Sequence, residues 1–310
     1  MSNLKILENV ILVPYTTLKI GGPAKYFFEA KSKNDIIDAI RWAKEKSVNY
    51  FILGGGSNIL ISDAGFNGLV IKIQDSRFKI QDSKIVVGAG LDLARLVQIA
   101  TENSLTGLEW AAGIPGTVGG AIRGNAGAMG QSMSEIIKQV DVLVDNEKIE
   151  QWDNKQCQFG YRDSVFKQNP NLIILSAEIQ LEKGDKQEIQ KKIEKYLEKR
   201  KSQPIEPSAG CVFKNIEVDK LSDYPKLCQK YPEIKGAVKN EKLSAGWLIE
   251  QCDLKGKQIG QAKISEKHAN FIVNLGGAKA EDVLILISLI KQRVRNKFGI
   301  QLQEEIEIAQ

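Results

Sequence analysis

Between Gly107 and Gly130 the chain reads GLEWAAGIPGTVGGAIRGNAGAMG, and eight of these residues are glycine. Such a run favours neither helix nor strand, because glycine loses more conformational freedom on folding than any other residue and contributes no packing. What glycine does offer is access to positive φ and a bare backbone that another group can approach closely. Flexible linkers are polar, whereas Leu108, Trp110, Ile114, Pro115, Val118, Ile122 and Met129 make this stretch apolar between its glycines. It is therefore expected to be ordered and to lie against a ligand.

A second glycine run stands upstream, where the apolar strand Tyr50 to Leu53 passes directly into Gly54-Gly55-Gly56-Ser57-Asn58. A glycine loop after a buried strand presents backbone N–H groups to an anion, and the diphosphate of a nucleotide is the usual occupant. The spacing matches neither GxGxxG nor the Walker A pattern with its lysine, so neither a Rossmann nor a P-loop assignment follows. A tight hairpin turn between residues 50–53 and 59–62 is the competing reading. Two glycine loops, each hung on a small α/β unit, suggest a single ligand long enough to reach both, which favours a dinucleotide.

Periodicity supplies the scaffold. Lys25 to Ala30 reads as a strand. Ser32 to Lys46 reads as a helix that buries Ile36, Ala39, Ile40 and Ala43, with Ser32 and Asp35 as a capping box. Residues 69–73 and 85–88 are short strands, and Leu91 to Glu102 is an amphipathic helix with Leu93, Leu96, Val97 and Ala100 inward. A β-rich stretch runs from Ile136 to Leu181. The charged helix Asp185 to Arg200 follows, with Ile189, Ile193 and Leu197 on one face and Glu188 paired to Lys192. Pro204 and Pro207 then mark a boundary. Beyond it come a polar stretch to Lys242, a helix opening at Ala245, a strand region over Ile264 to Val273, and a long buried helix from Ala280 to Phe298. Ile300 to Ile308 alternates as a strand with Gln301, Gln303, Glu305 and Glu307 on its polar face.

At 310 residues, 43% hydrophobic and 26% charged, the chain fits a soluble protein of two or three domains. No apolar run approaches the roughly 20 residues that span a bilayer, and the N-terminus lacks the pattern of a signal peptide. A cytoplasmic monomer is expected. Cys157, Cys211, Cys228 and Cys252 contain no CxxC, so reduced thiols are expected rather than zinc or disulfides. His268 is the single histidine, which removes histidine-pair mechanisms and most metal sites; no metal is expected. The net charge of +5 is dispersed, compatible with a small anionic substrate and only weak support for nucleic-acid binding; neither nucleic acid nor a membrane is expected as a partner.

The segments TLKIGGPAKYF, LGGGSNIL, GIPGTVGGAIRGNAGAMG, FGYRDSVFK, SAGCVFKN, AGWLIEQCDLKG and LQEEIEI, in this order along nearly the whole chain, resemble the UDP-N-acetylenolpyruvoylglucosamine reductases, the MurB family. The resemblance implies an α+β fold: a two-part FAD-binding domain of the vanillyl-alcohol-oxidase type, followed by a C-terminal α+β substrate-binding domain. The parts are expected at residues 1–72, 73–203 and 204–299, with 300–310 as a strand that could return to the first part. It further implies non-covalent FAD, NADPH as co-substrate, and reduction of an enolpyruvyl ether on a UDP-linked amino sugar to a lactyl ether. Hydride reaches the terminal carbon by way of the flavin, and the neighbouring carbon is then protonated.

Each site residue is implied by the motif that carries it. Flavin contacts are expected from Leu53, Gly54, Gly55, Gly56, Ser57, Asn58 and Ile59, and from Ile114, Pro115, Gly116, Val118, Gly119, Gly120, Asn125 and Gly127. Arg162 matches the arginine that grips the substrate carboxylate, for which a planar guanidinium is suited, with Tyr161 supporting it. Cys211 stands at the proton-donor position, often serine in relatives; a thiol is mostly protonated at neutral pH and can serve as an acid, so turnover should fall on the alkaline side. Glu305 matches the C-terminal glutamate, with Glu304 as fallback because it replaces a frequent proline. Lys214, Asn215 and Gln251 match substrate contacts, and His268 is read as structural. The short Phe166 to Leu172 connection resembles the subtype without a tyrosine loop, although residues 216–242 are longer than in that subtype. The residues by themselves leave open an FAD-dependent oxidase of alcohols or sugars, or a flavin-binding protein without catalysis.

Overall fold

The computed structural model describes residues 4–145 and 148–309, and the chain divides into two compact units. The first holds the residues up to Val10, Ala24–Gly56 and Phe66–Lys201; the second holds Ile11–Pro23, Ser57–Gly65 and the residues from Ser202 onward. The boundary after Lys201 lies just before the proline pair.

In the first unit, Phe66–Ile73 is the central strand of a four-stranded sheet, parallel to Pro23–Ala30 and to Tyr50–Leu53, with Leu7–Ile11 outside Pro23–Ala30. Parallel neighbours need a crossover, and the helix Lys33–Glu45 supplies the one from residue 30 to 50. Ser32 Oγ accepts from the Asp35 amide at 3.2 Å, while the Asp35 carboxylate reaches back to the Lys31 amide at 2.8 Å. Ile36, Ala39, Ile40 and Ala43 are buried. A second, antiparallel sheet runs Lys148–Asp153, Ile137–Val144, Ile173–Gln180, Lys84–Gly88, Phe78–Gln81. Both sheets drain into one core with Leu93, Leu96, Trp110, Val118 and Ile122, so residues on either side of position 72 share a single interior.

The helix Lys186–Arg200 packs through Ile189 and Ile193, but Leu197 is 42% exposed. Glu188 pairs with Lys191 at 2.8 Å rather than with Lys192, which is drawn 3.7 Å from the buried carboxylate of Glu109. A desolvated carboxylate attracts a cation more strongly than an exposed one does.

In the second unit, an antiparallel sheet runs Ser208–Cys211, Phe271–Asn274, Ala262–Ile264, Gln258–Ile259. The expected strand region 264–273 is thus two strands joined by a turn. The helix Ala280–Phe298 buries Val283, Leu286, Ile287, Ile290 and Val294, and Asp63 accepts from the Ala280 amide at 3.0 Å at its start. Ile59–Ile61 pairs in parallel with Glu307–Ala309. This arrangement removes one competing reading and corrects one expectation. Gly54 to Asn58 is not a hairpin turn, because the strands flanking it belong to different sheets. The strand expected over 300–308 narrows to Glu307–Ala309; Ile300, Leu302 and Ile306 are buried without a ladder, so their alternation reported burial alone. Residues 216–242 form a small three-stranded sheet, Ile216–Glu217, Lys242–Leu243, Val238–Lys239, that brackets the helix Tyr224–Lys230 and is anchored by fully buried Ile234.

Candidate active site

The two glycine loops meet inside the first unit. A Cβ placed on Gly55 would stand 2.5 Å from the Gly116 Cα, and one on Gly54 would stand 2.7 Å from Thr117 Oγ1. Side chains there would force the loops apart, which accounts for the glycines at 54, 55 and 116; Gly56 and Gly116 also hold positive φ, 65° and 115°. The Gly116 carbonyl accepts from Leu93 N at 2.9 Å, and the Val118 and Gly119 amides donate to the carbonyls of Leu91 at 2.9 Å and Ala89 at 2.8 Å. These groups are spent on the fold. Gly119 has a packing role as well, since a Cβ on it would lie 2.8 Å from Ala89 Cβ. Gly120 differs: it is exposed, and a Cβ there would touch only Thr117 Oγ1, at 3.6 Å. Ile114 is half-buried and Pro115 exposed beside this bare face, and Leu53 is buried beneath the first loop. Gly127 sits in a short hairpin, where a Cβ would strike the Gln131 carbonyl at 2.5 Å.

Two charged groups that the sequence reading passed over steady these loops. Lys72, at the end of the central strand, donates to the Gly54 carbonyl at 2.5 Å. Burial lowers its pKa, against the opposing pull of Asp92 and Glu29. A lysine on an otherwise apolar strand, GLVIKI, was the available signal. Glu109, 5% exposed, accepts from Thr106 Oγ1 at 2.6 Å and from the Gly107 amide at 2.8 Å at the entry to the long glycine segment. Burial pushes its pKa up, but these bonds, its own amide and Lys192 outweigh burial and hold the carboxyl below its ordinary value.

Arg162 sits on a tight turn closed by Gly160 N to Asp163 O at 3.0 Å and Asp163 N to Gly160 O at 3.3 Å, with a left-handed φ of 54°. The glycine segment holds this turn. Asn125, itself at φ 40°, donates to the Gly160 carbonyl at 2.8 Å and accepts from Ser134 N at 3.0 Å. Ser164 Oγ donates to the Arg123 carbonyl at 2.6 Å. The Asn125 side chain therefore serves the arginine turn. The Arg162 guanidinium lies over the Tyr161 ring at 5.8 Å, a contact that steadies the cation.

In the second unit, Cys211 ends its strand opposite Phe271, after Gly210 with φ 79°. Asn270 then clamps the following residues. Its carbonyl accepts from Val212 N at 2.8 Å, and its side chain both accepts from Phe213 N at 3.0 Å and donates to Phe213 O at 2.8 Å. His268 Nδ1 in turn accepts from the Asn270 amide at 3.3 Å. Burial chiefly lowers the His268 pKa, which keeps that acceptor available. Glu305 N donates to Val212 O at 2.7 Å and Lys214 N donates to Gln303 O at 2.9 Å, so the segments bearing Cys211 and Glu305 lie side by side. Glu304 forms an ion pair with Lys291 on the long helix at 2.7 Å, and Glu305 is half-buried.

A cavity of about 270 Å³ opens nearby in this unit, lined by Asn215, Lys239, Lys242, Ser244 and Trp247 among others. Two ammonium groups and an indole suit an anion joined to a planar ring. Asn215 Oδ1 accepts from Ala245 N at 3.0 Å. Lys214 and Gln251 stand outside that lining, and the Gln251 carbonyl accepts from Lys297 Nζ. Lys239 and Lys242 lie on short strands that no motif marked, whereas Trp247 stands within AGWLIEQCDLKG, of which only Gln251 was named as a contact. Among the described residues no cysteine is disulfide-bonded.

Residues 202–309 match the family described as UDP-N-acetylenolpyruvoylglucosamine reductase, C-terminal domain, and residues 24–152 match an FAD binding domain. The chain is 39% identical over 307 residues to the UDP-N-acetylenolpyruvoylglucosamine reductase of Anoxybacillus flavithermus, covering 98% of this chain and 94% of that one. To the enzyme of the same description from Solibacter usitatus it is 36% identical, covering 98% and 97%. Among solved structures, that of the Thermus caldophilus reductase superimposes with a TM-score of 0.77 at 34% identity, covering 99% of both chains.

Proposed function

The chain belongs to the UDP-N-acetylenolpyruvoylglucosamine reductase family, and from that membership we propose how its own residues divide the reaction. The enzyme reduces UDP-N-acetylglucosamine enolpyruvate to UDP-N-acetylmuramate for peptidoglycan synthesis, with FAD as cofactor and NADPH as reductant. The observation that carries the assignment of parts is the contact between the two glycine loops, a bare-backbone cradle of the kind a nucleotide diphosphate needs. Gly54 to Ser57 and Ile114 to Gly120 would hold the FAD. When bound, the flavin carries hydride from NADPH to the enolpyruvyl group.

The chain's own task is to manage the charge and the proton that follow. Hydride addition at the terminal carbon leaves negative charge on the neighbouring carbon and its carboxylate. Arg162, preset by its turn and by Tyr161, binds both carboxylate oxygens as that charge develops. Cys211 gives its thiol proton to the neighbouring carbon and recovers one from solvent. Glu305 flanks the same group, while the ion pair of Glu304 with Lys291 supports assigning the role to residue 305. The lysine-lined cavity would take the nucleotide end of the substrate. No helix among the described residues is long and apolar enough to cross a membrane, and the reading is completed by a monomer working in the cytoplasm.

The test is an anaerobic visible spectrum of the purified protein, taken with NADPH and then with the UDP-linked enolpyruvyl sugar. Yellow colour should bleach with NADPH and return with the sugar. In Cys211→Ala the bleaching should persist and the return should slow by about 10² to 10⁴. Return at the wild-type rate would remove Cys211 as donor; a colourless protein that takes up no FAD would remove the cofactor assignment.

A further inference from the structure

Asn58 closes the first glycine loop, where the motif leads one to expect a ligand of the nucleotide cofactor. Its hydrogen bonds run elsewhere. The side-chain Nδ2 donates to the main-chain carbonyl of Glu305 at 3.1 Å, and its own carbonyl accepts from Glu307 N at 2.9 Å. Immediately after it, Ile59–Ile61 runs in parallel register with Glu307–Ala309. On the other side of Glu305, its N–H donates to Val212 O at 2.7 Å, one residue past Cys211.

These bonds matter because Glu305 lies in a gap between two paired stretches. The contact with the Cys211 segment ends at the isolated bridge of Phe213 with Glu304, and the ladder with Ile59–Ile61 begins only at Glu307. Glu305 is thus pinned at its N–H by Val212 and at its C=O by Asn58. Fixing both peptide groups fixes φ and ψ, and with them the direction in which Cα–Cβ leaves the chain. The Asn58 carboxamide fills a place that a ladder partner would occupy in regular sheet.

We propose that Asn58 is a positioning residue for Glu305, aiming its carboxylate by way of the main chain, rather than a ligand of the FAD. The inference rests on the role proposed for Glu305 and extends it to a residue of the glycine loop.

The test uses the FAD-loaded enzyme with Asn58→Asp, which keeps the shape and loses the donor. Asn58→Ala carries the same expectation should the aspartate variant fail to fold. The FAD Kd and the rate of bleaching by NADPH should stay within twofold of wild type, while recolouring by the enolpyruvyl sugar slows at least tenfold. Combined with Glu305→Gln, the variant should add no further slowing, because residues acting through one group are non-additive. A tenfold weaker FAD Kd with normal recolouring of the bound fraction would make Asn58 a cofactor ligand and overturn the inference. So would fully additive slowing in the double variant. Normal recolouring in Glu305→Gln would remove Glu305 from the reaction and the inference with it. A slow Glu305→Gln beside a normal Asn58→Asp would sink the inference alone.

Discussion

Gly55→Ala probes the loop contact most directly. Gly55 is not among the glycines with positive φ, so alanine can adopt its backbone and the effect must be steric. The new Cβ would stand 2.5 Å from Gly116 Cα, 3.0 Å from Gly116 C and 3.1 Å from Thr117 N. Ordinary contact starts at 3.4 Å, so the loops must part by 3.4 − 2.5 = 0.9 Å, and all three atoms are backbone that cannot swing aside. Overpacking of this kind costs about 1–3 kcal/mol, and about 1.4 kcal/mol is tenfold in an equilibrium constant. Apo-protein titrated with FAD and followed by flavin fluorescence should show binding weaker by about fivefold or more, with a lower Tm before FAD is added. Gly120→Ala is the counterpart. Its Cβ meets only Thr117 Oγ1 at 3.6 Å, and alanine in a helix is worth about 0.5–1 kcal/mol over glycine. Its apo Tm should hold or rise while FAD binding weakens, because the methyl would occupy the bare face. Wild-type FAD affinity in Gly55→Ala, or in a stabilised Gly120→Ala, would refute the cradle.

Glu304→Gln loses one half-buried ion pair, worth about 0–1 kcal/mol, and turnover should stay within a few-fold, whereas Glu305→Gln should lose about 10² or more; steady-state NADPH oxidation separates them. Lys72→Met removes the cation that holds the Gly54 carbonyl, and FAD should bind about tenfold more weakly, the lower end for a charge-assisted hydrogen bond. The folded-state pKa of Glu109 is depressed, so its contribution to stability is present above the unfolded carboxyl pKa of about 4.3 and is lost as pH falls through the lower folded value. Urea midpoints of Glu109→Gln should therefore lie below wild type at pH 7, with the gap narrowing under acid; a gap independent of pH would refute the assignment.

The parts of this fold that the sequence disclosed are those set by local pattern. Ile36, Ala39, Ile40 and Ala43 line one face of a helix, and Ser32 caps it, because helical period and capping chemistry act within a few residues. The arginine, cysteine and glutamate proposed for the reaction were named by their motifs alone. Partnerships made far along the chain were not. Whether Gly54 to Asn58 turned a hairpin depended on a partner for Ile59 that stands 307 − 59 = 248 positions away. The support for proposing Glu305 rather than Glu304 comes from Lys291 of the long helix, which pairs with Glu304, and the alternation from Ile300 to Ile308 could not say that burial would come without a ladder. Lys72 and Glu109 were unremarkable as residue types; only the carbonyl above the one and the amide beside the other gave them a task.

The pairing of Ile59–Ile61 with Glu307–Ala309 also sets a timetable for synthesis. Every segment of the first unit has left the ribosome shortly after Lys201, and that unit can close while translation continues. Ile59, Leu60 and Ile61, each no more than 5% exposed in the finished protein, emerge early and have no strand partner until residues 307–309 follow. At about 5–20 residues per second, the interval of 248 residues lasts on the order of 12 to 50 s. Throughout it the nascent chain carries, next to its first glycine loop, a strand that still lacks its ladder partner.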